Sequence, residues 1–90
     1  MSDPVKLVYE RQRTHGVWEE QAATAQALKD ELRKAPKYSD LRPQQREALD
    51  LIMVKASRIV NGDGTFKDHW DDVSGYAKLG AGDCDHSSKT

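Results

Sequence analysis

Acidic residues at helical spacing are the strongest chemical signal in this 90-residue sequence. Asp68 and Asp72 lie four residues apart, and Glu47 and Asp50 lie three apart. On helices, these spacings place both members of a pair on one face. Carboxylates that surround one cleft form a hard-oxygen site suited to Mg²⁺ or Mn²⁺, and such a metal can bridge phosphate oxygens and activate water. The predicted metal ligands are Glu47, Asp50, Asp68 and Asp72.

The same acidic residues also have an interpretation without a metal. Asp68, Asp71 and Asp72 lie early in a predicted helix, where the helix dipole favours negative charge. Glu47 lies opposite the apolar stripe of its own predicted helix, as a solvated side chain would. Gly75 shares a helix face with Asp68 and Asp72, and glycine inside a helix costs about 1 kcal/mol relative to alanine. We therefore expect a ligand, a side chain or a second helix to approach this face closely.

Two basic residues, Lys55 and Arg58, lie three residues apart on the predicted third helix. Together they could hold a phosphate group. They could equally neutralise Asp68 and Asp72 in ion pairs that need no ligand. The ion pairs are the favoured interpretation, because such networks are common away from functional sites.

A second basic segment, which includes Arg11 and His15, precedes the second predicted helix. Helix N-termini bind anions, and Gly16 would let a ligand approach the backbone. Glu19 and Glu20 oppose an anion in the same first turn. His15 is therefore a candidate site residue, with a surface position as the alternative.

The periodicity of the sequence predicts an all-α fold, with a short N-terminal helix, three main helices and no strand. Pro4 and Pro43 suit the first turns of the first and third helices, and Pro36 ends the second. Asn61-Gly62 is expected to end the third helix in a left-handed conformation, and Thr65 to cap the fourth. The predicted helices span residues 3–13, 17–34, 43–60 and 66–79.

The predicted domain comprises residues 1–79, followed by a small, polar segment at 80–90 that we expect to be a disordered tail. Apolar stripes define the inner faces of the main helices. Leu51 and Val54 fall outside the stripe of the third helix, and a helix that is apolar on more than one face is usually central or at an interface. Because a chain this small has a thin stability margin, we expect a homo-oligomer. The stripes are Trp18, Ala22, Ala25, Leu28 and Leu32; then Leu49, Ile52, Met53, Ala56, Ile59 and Val60; then Phe66, Trp70, Val73 and Ala77.

Composition narrows the possible partners. The net charge of −1 argues against a general nucleic-acid binder, which usually carries a basic surplus. Cys84 is the only cysteine, so an intrachain disulfide is impossible and a reducing cytosol is the expected compartment. The longest apolar run, residues 51–54, is too short to span a bilayer, and no signal peptide is recognisable. We therefore expect no membrane partner.

Several motifs resemble small proteins of tailed phages and prophages that form a helical domain family of unknown function. The resemblance covers about residues 11–79, and it implies a phage gene expressed in the cytoplasm of the bacterial host. One hypothesis that follows is a non-catalytic interaction protein that sequesters a nucleotide signal or inhibits a host defence factor. The motifs are Thr14-His15-Gly16, Glu20-Gln21-Ala22, Gln45-Arg46-Glu47-Ala48-Leu49-Asp50, Asp68-His69-Trp70-Asp71-Asp72 and Gly75-Tyr76-Ala77.

A more distant similarity is to the all-α NTP pyrophosphohydrolases of the MazG type, which hold Mg²⁺ between paired acidic residues of neighbouring helices. It implies that the four acidic residues named above bind Mg²⁺ or Mn²⁺, and that Lys55 or Arg58 contacts phosphate. Those enzymes typically use glutamate-rich pairs three residues apart, whereas the second pair here is two aspartates four apart, with Asp71 as an alternative partner for Asp68. Glu19 or Glu20 could instead supply the first pair. Tyr76 is a further candidate site residue. The leading hypothesis is thus a phage-encoded, metal-dependent nucleotide pyrophosphohydrolase acting on NTPs or dNTPs, and the non-catalytic interaction protein is the alternative.

Overall fold

The computed structural model describes residues 4–82 and Cys84, with side chains from Leu7 onward. Helix α1 spans Pro4–His15, α2 spans Trp18–Arg33, α3 spans Pro43–Asn61 and α4 spans Lys67–Ala81. A short 3₁₀ turn, Tyr38–Asp40, lies between α2 and α3. These residues contain no strand, so the predicted all-α class is confirmed. No helix in this described part of the chain has the length and apolar character needed to cross a membrane.

Helix α3 is the centre of the fold, because α1, α2 and α4 all pack against it. Its apolar residues on more than one face predict this position. Ser57 on α3 is completely buried, and its hydroxyl donates a hydrogen bond to the Val54 carbonyl oxygen at 2.6 Å. Among the described apolar residues, Ala25 and Ala48 alone are fully buried, so small side chains line the closest contacts between helices.

The tight crossing of α3 and α4 occurs at Gly80 rather than at Gly75. A Cβ atom on Gly80 would lie 2.9 Å from the Cβ of Ala48. At Gly75, by contrast, no described atom lies within 4 Å of the corresponding position. No described side chain or backbone segment of this chain therefore approaches Gly75 closely, and the approach of a ligand or a second subunit to this face stays a prediction.

The turn between α1 and α2 packs directly on the turn between α3 and α4. Gly16 has a φ of +83°, and a Cβ there would lie 2.5 Å from the Asn61 carbonyl oxygen. A Cβ on Gly62 would clash with the Thr14 carbonyl oxygen. That oxygen accepts a hydrogen bond from the Asp63 N–H at 3.1 Å. The two turns thus meet backbone to backbone, and glycine at both positions makes the contact possible.

Both predictions about the α3–α4 turn are wrong in detail. Asn61 is the last residue of α3, and Gly62 has a φ of −120°, so no left-handed residue ends the helix. Phe66, not Thr65, occupies the N-cap position of α4. The Thr65 N–H and hydroxyl instead donate to Asp63 Oδ1, at 2.8 and 2.6 Å, and close the loop.

Three helices extend beyond their predicted ends, α3 by the single residue Asn61. Helix α1 continues to His15, and α4 continues to Ala81. Gly80 and Ala81, which were assigned to a disordered tail, are therefore helical. Apart from Gly82 and Cys84, the remainder of the predicted tail lies outside the described residues, as do the N-terminal residues 1–3.

Both exposed tryptophans depart from the predicted stripes. On α2, Ala22, Ala25, Leu28 and Leu32 are buried or half-buried, but Trp18 is 63% exposed. On α4, Trp70 is 54% exposed, and its indole N–H donates a hydrogen bond to the Gly64 carbonyl oxygen at 2.9 Å. The inward face of α4 is rotated accordingly, which also leaves Ala77 exposed. The residues on that inward face are His69, Val73, Tyr76 and Gly80, together with Phe66 at the N-cap position.

Candidate functional site

The acidic residues predicted to bind a metal lie in separate ion pairs or in solvent. Asp72 accepts a hydrogen bond from Lys55 Nζ at 2.8 Å, which lowers the pKa of Asp72. Asp50 Oδ1 lies 3.6 Å from Arg33 Nη2 on α2. Glu47 and Asp68 are exposed.

The described residues contain no group of three or more His, Cys, Asp or Glu side chains that could hold a metal ion. As placed, the carboxylates therefore do not fit the Mg²⁺ or Mn²⁺ site that the spacing suggested. The role of these residues as metal ligands stays a prediction.

The two basic residues of α3 have different surroundings. Lys55 forms the predicted ion pair, with Asp72 rather than with Asp68. Arg58 has no carboxylate within ion-pair distance among the residues that the structure describes. Its Nε atom is buried without a hydrogen-bond partner. Burial, followed by the nearby charge of Arg11, lowers the pKa of Arg58. Arg58 is therefore a partly desolvated cation without an ion-pair partner among the described residues, although the carboxylate of Asp72 acts on it at longer range.

The pKa of His15 is also affected by the positive charges around Arg58. His15 lies at the end of α1 and is half-buried. Burial, followed by the charges of Arg58 and Arg11, lowers its pKa to about 4; His69 and Lys55 contribute less. The imidazole is consequently neutral at physiological pH and lies in a positive electrostatic environment.

His69 is a buried residue of α4 that contacts the end of α1 next to His15. It is 1% exposed, and its Nε2 lies 2.8 Å from the Thr14 carbonyl oxygen. Because a carbonyl oxygen only accepts, Nε2 carries the proton and donates it. The rings of His15 and Phe66 each lie 4.8 Å from that of His69, edge to face. His69 thus joins α4 to the end of α1, a role for which its spacing with Phe66 and Val73 was the only sequence signal.

A cavity of about 220 Å³ opens between α1 and α2 beside His15. Arg11, Trp18 and Gln21 also line it.

The other predicted candidates, Tyr76 and Glu20, lie elsewhere. Tyr76 lines two apolar cavities between α3 and α4, of about 340 and 270 Å³. Glu20 is exposed on the first turn of α2.

Comparison of the chain with protein-family models, with curated proteins and with solved structures found no match. The resemblance to phage proteins and the more distant similarity to pyrophosphohydrolases therefore stay predictions. What the fold and the site define is a small all-α protein with a basic cluster, made of Arg11, His15, Lys55 and Arg58, in which Lys55 pairs with Asp72.

Proposed function

We propose that this protein binds the phosphate groups of a nucleotide without catalysing its hydrolysis, and so acts by sequestering the nucleotide. The phosphates bind at the basic cluster, where Arg58 and Arg11 provide the principal charges. In an infected bacterial cell, the ligand would be a nucleotide signal. The observation that carries this proposal is the partly buried guanidinium of Arg58, whose Nε atom has no hydrogen-bond partner.

Burying part of the Arg58 side chain lowers the stability of the fold unless an anion binds to its guanidinium group. A buried polar group without a partner costs roughly 1–3 kcal/mol, and charged groups cost more. An apolar side chain of similar size would fill the same space without this cost. A phosphate oxygen would supply the missing acceptor, and guanidinium groups bind phosphate through paired, charge-assisted hydrogen bonds.

The local balance of charge favours an anion. Arg11, Lys55 and Arg58 all lower the pKa of His15. The carboxylate of Asp72 is the described acidic group that contacts this set, and it is paired with Lys55. Three cations and one carboxylate leave two positive charges, although the whole chain carries a net charge of −1. Such a concentrated positive potential attracts anionic ligands and accelerates their association.

The pyrophosphohydrolase hypothesis remains the alternative, with Asp72 as its most informative residue. It requires the acidic residues to converge on a metal, and the ion pairs of Asp50 and Asp72 support the non-catalytic interpretation instead. The homo-oligomer also stays a prediction. It is favoured by the exposed Leu79 and Val60 and by the scarcity of large buried side chains among the described residues.

Calorimetric titration with ATP in magnesium-free buffer at low salt tests the proposal. We expect Arg58→Gln to weaken binding at least about tenfold, a loss of about 1.4 kcal/mol. The matched control is Arg33→Gln, which removes the same charge from an exposed arginine that already pairs with Asp50. The control should bind ATP within about twofold of the unaltered protein. An absence of binding, or an equal loss in both variants, would contradict the proposal.

A turnover assay separates binding from catalysis. The protein is incubated with a panel of NTPs and dNTPs in the presence of Mg²⁺ or Mn²⁺, and pyrophosphate is measured. We expect no release above the protein-free control. Release that Asp72→Asn abolishes would replace the proposal with the enzyme hypothesis.

A further inference from the structure

The cavity between α1 and α2 has the size of a subsite rather than of a whole-ligand pocket. Its volume is about 220 Å³. A single water molecule occupies a cavity volume of roughly 10–15 Å³, whereas pockets that enclose a drug-sized ligand have volumes of roughly 300–1,000 Å³. The cavity therefore admits one ring system of a ligand and leaves the rest outside.

Gln21 gives this cavity an unused hydrogen-bonding group. The residue is 4% exposed and lines the cavity. Its backbone N–H donates to the Val17 carbonyl oxygen. None of the side-chain hydrogen bonds among the described residues involves its amide. An amide offers two donor hydrogens and one acceptor oxygen. A ligand that presents a donor and an acceptor side by side would satisfy both parts of the amide.

Trp18 adds an aromatic surface at the rim. It lines the same cavity and is 63% exposed, although it falls on the predicted inner stripe of α2. Stacking of a nucleic-acid base on an aromatic side chain contributes roughly 1–3 kcal/mol and tolerates any base. The indole is therefore placed to cover a planar ring in the cavity.

We infer that this cavity binds the base of the nucleotide, with Trp18 stacked on the ring and Gln21 paired with the donor–acceptor edge of the base. The ligand class is a purine or pyrimidine nucleotide. Arg11 and His15 line the cavity and also belong to the basic cluster, so the base and the phosphates occupy neighbouring parts of one site. This inference rests on the proposed function, which supplies the phosphate-binding half.

The test compares nucleoside monophosphates with ribose 5-phosphate, which carries the phosphate but lacks the base. Binding of AMP, GMP, CMP, UMP and ribose 5-phosphate is measured by calorimetry in magnesium-free buffer. We expect at least one nucleotide to bind tenfold or more tightly than ribose 5-phosphate. Trp18→Leu and Gln21→Leu should each reduce that preference at least fivefold while leaving the affinity for ribose 5-phosphate unchanged.

Trp70→Leu is the matched control, because it removes a similarly exposed tryptophan that does not line the cavity. It should retain the full preference for the nucleotide. Circular dichroism confirms that each variant is folded, and the exposed position of Trp18 keeps the test valid should Gln21→Leu fail to fold. Equal affinity for nucleotides and ribose 5-phosphate, or an undiminished preference in Trp18→Leu, would overturn the inference while leaving the proposed function intact. Failure of all five ligands to bind would overturn the inference, and failure of ATP to bind in the same buffer would overturn the proposed function as well.

Discussion

At Arg58, one guanidinium lowers the stability of the fold and provides the central charge of the proposed site. Its Nε atom is buried without a partner, and the charge that most strongly affects its pKa is that of another cation, Arg11. Residues that lower the stability of the folded state are typical of functional sites, where they are retained because they bind a ligand. Lys55, one turn earlier on the same helix, shows the opposite case, because Asp72 satisfies its charge.

The lowered pKa of His15 predicts that stability falls in mild acid. The pKa is about 4 in the folded protein and 6.5 in the unfolded chain, so the unfolded state binds more protons between these values. The contribution of neutral His15 is therefore complete above about pH 6.5 and is lost as the pH falls towards 4, by at most about 3 kcal/mol. Urea unfolding at pH 7.5 and 5.0 measures this loss.

His15→Gln is the control for this prediction, since glutamine does not titrate. The variant should lose clearly less stability than the unaltered protein between pH 7.5 and 5.0. The paired carboxylate of Asp72, whose pKa is lowered, titrates below this window and affects both proteins equally. Parallel loss of stability in the two proteins would show that His15 does not titrate in this way.

At the scale of elements, the amphipathic patterns predicted the helices well but did not fix their rotation. Four of the five stripe residues of α2 are buried or half-buried, yet Trp18 is exposed. On α4, the position expected for Trp70 is occupied by His69. Periodicity locates an apolar side of a helix, but hydrogen bonds to other segments decide which residues at its edge turn inward. The bond from His69 to Thr14 spans 55 residues of sequence, so local pattern could not reveal it.

The glycines of the turns provide a prediction at the same scale. Gly16→Ala places a Cβ 2.5 Å from the Asn61 carbonyl oxygen at a residue with a φ of +83°. We expect it to lower the free energy of unfolding by at least about 2 kcal/mol. Gly75→Ala should instead raise that free energy by about 0.5–1 kcal/mol, because this glycine lies inside an exposed helix with open space around it.

Chemical denaturation of the two alanine variants at pH 7.5 checks both values. The opposite signs make the comparison informative, since both changes add one methyl group. Should Gly16→Ala prove as stable as the unaltered protein, the two turns would not be packed together as described.

At the scale of the whole molecule, the basic cluster exists only because several helices converge. Arg11 and His15 come from α1, Lys55 and Arg58 from α3, and Asp72 from α4. From the sequence, Lys55 and Arg58 could be identified as candidates, and the pairing of Lys55 with an acidic residue of α4 could be predicted. The missing hydrogen-bond partner of Arg58 Nε and the position of Gln21 in the wall of a cavity could not be predicted, because both depend on how the helices pack.

The most direct test of the basic cluster as an anion site is the pKa of His15, measured by NMR titration with and without pyrophosphate in magnesium-free buffer. In the free protein, burial and the surrounding cations should hold this pKa near 4. Saturation with pyrophosphate should raise it by at least about one unit, because a nearby anion stabilises the imidazolium. An ordinary pKa in the free protein, or a value that pyrophosphate leaves unchanged, would contradict the proposed site.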